Sequence, residues 1–161
     1  MVERNIKIIE ENIVVESDIM YAVIRIRGTV NVTPKIKKAL IMMNLRRANN
    51  LSLWGEDAHA LGMINKVKDY VAYGKISDEM LKELIAKRAR SIVPGSKMDA
   101  KKIFEALKEE GSTKKAGIRN LFTMSPPRGG FERKGIKVPY KLGGALGNMG
   151  EKINALIKRM M

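Results

Sequence analysis

The chain has no cysteine, so it can build no disulfide framework, thiolate nucleophile or cysteine-based zinc site. It has a single histidine, His59, and aromatic residues make up only 5% of its 161 positions. The core must therefore be aliphatic, filled by Ile, Leu, Val, Ala and the 11 methionines. Acidic side chains are scarce beside basic ones, 17 against 31, giving a formal charge of +14. Small soluble domains commonly carry a net charge of magnitude ~2–8. An excess this large repels itself in the compact state and argues for an anionic partner. Long apolar runs are missing too. Runs such as Ala39 to Met43 are far too short to span a bilayer. The acidic opening residues contain no clean apolar stretch of the kind a secretory signal needs. The expectation is a cytoplasmic protein with no membrane association.

Catalytic constellations are also lacking. His59 sits among apolar residues with no serine or paired carboxylate tied to it by spacing. Glu56 and Asp57 read as acids at a helix N-terminus. Gly143-Gly144-Ala145-Leu146-Gly147 resembles a phosphate loop only in its glycine content, since no clear strand precedes it. No His/Asp/Glu cluster has metal-ligand spacing. No catalytic residue, metal or cofactor is expected.

What is present is positive charge in two blocks. Residues 1–18 carry two basic and five acidic side chains, and residues 19–76 carry ten and three. Residues 77–110 are nearly balanced at eight and seven, whereas residues 111–161 hold eleven basic and two acidic. The balanced stretch reads as solvated helix and the two basic blocks as a binding surface.

Periodicity places these blocks on elements. Residues 19–27 alternate, with Ala22, Ile24 and Ile26 on one face and Tyr21, Val23, Arg25 and Arg27 on the other, which predicts a half-buried strand with a basic open face. Thr33-Pro34 opens a helix to about Asn44. Residues 51–54 form a short strand, about 57–67 a helix with Ala58, Leu61, Ile64 and Val67 inward, and 69–76 a third strand. Strand–helix–strand–helix–strand within 60 residues indicates an α+β sandwich with helices on one face of the sheet. Helices follow over 77–89, stopped by Pro94-Gly95, and over 99–110, ended by Gly111. Residues 112–150 hold eight of the 14 glycines and three of the five prolines. They read as mostly irregular chain, and the basic stretch 125–134 within it cannot pack into a core by itself and makes sense if a polyanion orders it. Residues 151–161 form a closing helix. The domain reading is an acidic segment 1–18, a core 19–76, a helical elaboration 77–111 and a basic extension 112–161. Residues 1–18 are either an added strand or a loose arm.

RNA is the polyanion this pattern fits. Arg25 and Arg27, with Tyr21 beside them, either meet phosphates and a base or form a solvated edge. Arg46 and Arg47, flanked by Asn44, Asn49 and Asn50, combine guanidinium forks for phosphate with amides for sugars and base edges. Lys35, Lys37 and Lys38 on the first helix are contacts or solubility charge. Arg119, Arg128, Arg133, Lys134, Lys137 and Lys141 line the extension.

The run Tyr21-Ala22-Val23-Ile24-Arg25-Ile26-Arg27-Gly28, followed by Thr33-Pro34-Lys35-Ile36-Lys37-Lys38, Leu45-Arg46-Arg47 and Gly62-Met63-Ile64-Asn65-Lys66-Val67, resembles the L-thirty family of large-subunit ribosomal proteins. Ser125-Pro126-Pro127-Arg128-Gly129-Gly130, Gly143-Gly144-Ala145-Leu146-Gly147-Asn148 and Ile153-Asn154-Ala155-Leu156-Ile157-Lys158-Arg159-Met160 are similar to its long archaeal branch. The resemblance covers about residues 19–161. It implies a ferredoxin-like βαβαβ core, no catalysis, and a structural role in contact with large-subunit ribosomal RNA, near the 5S RNA and neighbouring ribosomal proteins. The alternative is a non-catalytic RNA-binding assembly factor for the large subunit. Residues 1–18 depart from the family pattern. So does Asn148-Met149-Gly150, which lacks a basic residue that eukaryotic tails place after the asparagine.

Overall fold

The computed structural model describes residues 20–93, 99–110 and 113–161. The acidic segment 1–18, Pro94-Gly95 and Gly111 lie outside the described residues. β1 (Tyr21–Arg25), α1 (Pro34–Met42), β2 (Asn50–Trp54), α2 (Ala58–Val67) and β3 (Val71–Lys75) follow one another in the expected ferredoxin-like βαβαβ order. β1 is central and antiparallel to both neighbours, with Ile24 opposite Leu51 on one side and Ala72 on the other. α1 starts with Pro34 in its first turn, where a missing N–H is harmless. Thr33 contributes its carbonyl, which accepts the Lys37 N–H at 2.9 Å, and its side chain makes no cap. α2 turns Ala60, Ile64 and Val67 inward, so Ala58 is exposed and Leu61 only half-buried.

The sheet has helices on both faces, where one covered face was expected. Val23, Val71 and partly buried Tyr73 pack with Leu40, Met43, Leu45, Ile64 and Val67 from the α1–α2 layer. Ala22, Ile24, Leu51, Leu53 and Ala72 on the other face pack under α3 (Asp78–Arg88), α4 (Ala100–Glu110) and α5 (Ile153–Met160). Ser77 caps α3 by accepting the Met80 N–H at 3.4 Å, with acids in the first turn and Lys87 and Arg88 in the last.

The glycine-rich extension is part of this core, where mostly irregular chain outside it was expected. β4 (Phe122–Thr123) pairs antiparallel with β2, and β5 (Gly147–Asn148) pairs parallel with β3, giving the order β4-β2-β1-β3-β5. Ile118, Phe122, Met124, Leu146 and Met149 are buried in the same cluster as β1. Burying a large apolar side chain stabilises by about 1.5–3 kcal/mol, so a few dispersed residues suffice to anchor the segment. Its polar backbone is satisfied as well. The Asn120 amide accepts the Leu53 N–H and donates to the Leu53 carbonyl, both at 2.7 Å, as a neighbouring strand residue would. The Ser125 and Arg128 N–H groups donate to the Met160 and Arg159 carbonyls at 3.0 Å. Those carbonyls end α5 and would otherwise lack partners. The stretch from Ser125 to Arg128 thus has a folding purpose.

Two glycines mark where backbones meet. A Cβ on Gly74 in β3 would overlap the Gly150 carbonyl, and one on Gly144 would overlap the Val138 carbonyl. Gly62, inside α2, has no atom within 4 Å of a Cβ built there. Gly62→Ala is therefore expected to stabilise the protein by about 0.5–1 kcal/mol through helix propensity alone. A rise in the urea midpoint at constant slope checks this.

Candidate nucleic-acid interface

Arg25 is a structural residue. It is 2% exposed, and its guanidinium serves four carbonyls. Nε donates to Arg27 O at 2.9 Å, Nη1 to Leu45 O at 2.7 Å and Arg46 O at 2.9 Å, and Nη2 to Gly28 O at 2.9 Å. Burial lowers its pKa from the ordinary arginine value, with Tyr70 acting weakly the other way. The basic open face predicted from alternation is absent, because α1 and the loop after it cover that side of β1. Tyr21 is likewise engaged: its hydroxyl donates to Glu56 at 3.3 Å, and Lys75 lies over its ring. Burial raises the Tyr21 pKa, and Glu56 adds to the shift, so the phenol stays neutral.

Arg27 has a different environment. It is half-buried at the end of the β1 segment, its guanidinium carbon 4.7 Å from the centre of the Tyr70 ring, and Nη1 donates to Asp69 O at 3.2 Å. It lines a cleft of about 720 Å³ whose opposite wall is the extension from Lys137 to Asn148. Lys68, Tyr70, Tyr73, Lys137, Tyr140 and Lys141 also line it, with Asp69 its one acid. The extension wall is held by backbone bonds. Tyr140 N–H donates to Leu146 O at 2.7 Å, Gly144 N–H to Pro139 O at 3.0 Å, and Ala145 N–H to Gly135 O at 3.2 Å. Tyr140 also carries Lys152 Nζ 5.7 Å from its ring centre. Asn148 Oδ1 accepts the Gly150 N–H at 2.8 Å, which turns the amide nitrogen into the end able to donate outward. Met149 is buried, which gives a packing reason for an apolar residue after the asparagine.

The other sequence-predicted cations are distributed more widely. Lys35 and Lys38 share a second groove of about 470 Å³ between α1 and α2 with Lys66, Met42 and Met63. Lys37, Arg46 and Arg47 are exposed nearby on α1 and its following loop. Asn49 has a backbone role: its φ is 64°, its N–H donates to Arg25 O at 2.7 Å, and its carbonyl accepts from Met124. Asn31 and Asn44 share that left-handed geometry at φ 57° and 61°, which asparagine tolerates better than most residues. Arg119 is exposed beside α3, its N–H donating to Arg90 O at 2.9 Å. Arg128 and Arg133 are exposed along the stretch tied to α5, and the Lys134 stem lies on Gly143.

The family model described as ribosomal protein L30p/L7e matches residues 21–71, the part that forms β1 through the start of β3. The uL30 large ribosomal subunit protein of Methanococcus maripaludis strain C5 is 38% identical over 154 residues, covering 88% of this chain and 99% of the relative. The chain belongs to the uL30 family of large ribosomal subunit proteins. The uL30 of Methanococcus vannielii is 40% identical over the same shares, and that of Nanoarchaeum equitans 36% identical over 87% of this chain and 97% of its own. The match to these archaeal uL30 proteins includes the extension, in keeping with the long archaeal form.

Sequence reading missed Lys68, Tyr70, Tyr73, Tyr140 and Asn148 as members of one cleft. Tyr70 and Tyr73 were legible only as strand residues, because nothing in the spacing tells which face of β3 meets residues 137–148. A tyrosine embedded in a basic run, Lys137-Val138-Pro139-Tyr140-Lys141, was the available signal.

Proposed function

We propose that the protein holds large-subunit ribosomal RNA on a basic surface built jointly by the core and the extension. As a uL30 protein it is a structural constituent of the large ribosomal subunit. The observation that carries the proposed surface is the convergence of Arg27 with Lys137 and Lys141 on one cleft, from opposite ends of the chain. Exposed Arg46 and Arg47, Lys35, Lys37 and Lys38, and Arg119, Arg128, Arg133 and Lys134 extend positive charge around it. Arg25 is left out, since its guanidinium is used within the fold, and the half-buried Asn49 amide stands beside the surface. The reading assigns no catalytic step, and exposed His59 on α2 has no role in it.

Neutralising phosphates with cations makes binding salt-dependent, with a slope of about −0.9 in log–log form per duplex phosphate. Lys137→Ala combined with Lys141→Ala is expected to reduce that slope by roughly 1–2 without lowering the melting temperature. Titrating fluorescent ribosomal RNA fragments, 5S RNA among them, at several salt concentrations checks this. A salt-insensitive association counts against the surface. Crosslinks mapped in high-salt-washed large subunits test the same surface: sites at residues 27–47 and 119–141 support it, and sites confined to residues 77–110 count against it.

A further inference from the structure

We propose that the cleft between β3 and the 137–148 loop is a socket for a single unpaired nucleotide, held by base stacking inside and phosphate pairing at its rim. This rests on the RNA-binding reading above and says which part of an RNA enters. The cleft joins two features that no other described part of the basic surface joins. It is concave, at about 720 Å³, within the ~300–1,000 Å³ of sites that enclose a small ligand. It also contains three tyrosines, Tyr70, Tyr73 and Tyr140, in a protein with only four. A duplex offers its phosphates on a convex outer surface and keeps its bases stacked within, so it cannot use rings at the bottom of a concavity. An unpaired base can, because recognition of single-stranded RNA works by stacking splayed bases on aromatic rings or guanidinium planes.

The rim supplies the phosphate partners. Arg27 and Lys68 stand on the core side, Lys137 and Lys141 on the extension side, and Asp69 is the only acid. Arg27 is fixed by its bond to the Asp69 carbonyl and by stacking on Tyr70, so its outer plane is a prepared platform. Asn148 at the lip brings an amide donor for a base edge or a ribose hydroxyl. The extension wall is tied by its own backbone bonds, so the socket exists before RNA arrives and binding orders little protein.

The test compares two probes on the full chain by fluorescence anisotropy at low salt. One is a labelled single strand of about ten nucleotides. The other is a blunt RNA duplex of about 16 base pairs. Tyr140→Ala is expected to weaken single-strand binding about tenfold while duplex binding changes less than about twofold, and Tyr140→Phe restores the single strand. Asn148→Asp provides a second variant, because a carboxylate still accepts the Gly150 N–H but repels phosphate. It should lower the single-strand affinity more than the duplex affinity even if Tyr140→Ala melts early. Equal losses for both probes, or no loss in either variant, overturn the socket and leave the wider RNA reading standing. A wild-type protein that binds neither probe overturns both.

Discussion

Arg25→Met is expected to destabilise the protein by about 3 kcal/mol while leaving RNA affinity unchanged in the folded protein. A hydrogen bond to a charged group contributes ~1.5–3 kcal/mol, and the four made here do not add fully because they share one guanidinium. Methionine keeps much of the volume and removes every donor, so the Leu45 and Arg46 carbonyls lose their partner in a region closed by α1. For a chain of this size ~1 kcal/mol moves the melting temperature by ~2–4 °C, so a fall of ~6–12 °C should be seen. Arg25→Lys should recover only part of it, because an ammonium cannot fork across Leu45, Arg27 and Gly28 at once. Urea unfolding and RNA titration on the same samples separate the two roles. An unchanged midpoint with lost RNA binding would return Arg25 to the interface and defeat the structural reading.

Gly74→Ala is expected to cost about 2–3 kcal/mol by overpacking, and the damage should be localised. The added methyl group would overlap the Gly150 carbonyl, a backbone atom that cannot rotate away. Either β3 or the turn after β5 must shift, and the turn is the lighter attachment. The Met149 N–H, which donates to Tyr73 O at 2.8 Å, should then exchange with solvent much faster, while amides of the β1–β2 ladder keep their protection. Uniform loss of protection across the sheet, or unaltered protection at Met149, would contradict this account. Because β5 carries Gly147 and Asn148 into the cleft, the same substitution should weaken single-stranded RNA binding.

The βαβαβ core was readable because its elements are short, periodic and locally punctuated. Pro34 sets the start of α1, and alternation marks β1. What could not be read was the second covering layer. Ile118, Phe122 and Met124 obey no period, and their value lies in reaching a sheet face tens of residues away in sequence. The same gap explains Arg25. Alternation assigned it correctly to the face of Tyr21 and Val23, yet only the covering by α1 turns a surface cation into a buried one. Asn49 shows a different limit. Amide chemistry and left-handed backbone both favour asparagine, and the sequence does not say which is in use. The cleft was half legible: its cations stood out by charge, whereas its tyrosines gained meaning only from the juxtaposition of β3 with the extension.

The two-sided burial of the sheet has a consequence for how the chain is made. Residues 20–76 leave the translating ribosome first, yet the face bearing Ala22, Ile24, Leu51 and Leu53 is completed by side chains as distant as Ile153, Leu156 and Ile157. At synthesis rates of ~5–20 residues per second, that face stays incompletely covered for on the order of 4–16 s. Incompletely covered apolar surface on a nascent chain is prone to aggregation. Docking of α5 ends that exposure by completing an apolar face begun at the other end of the fold.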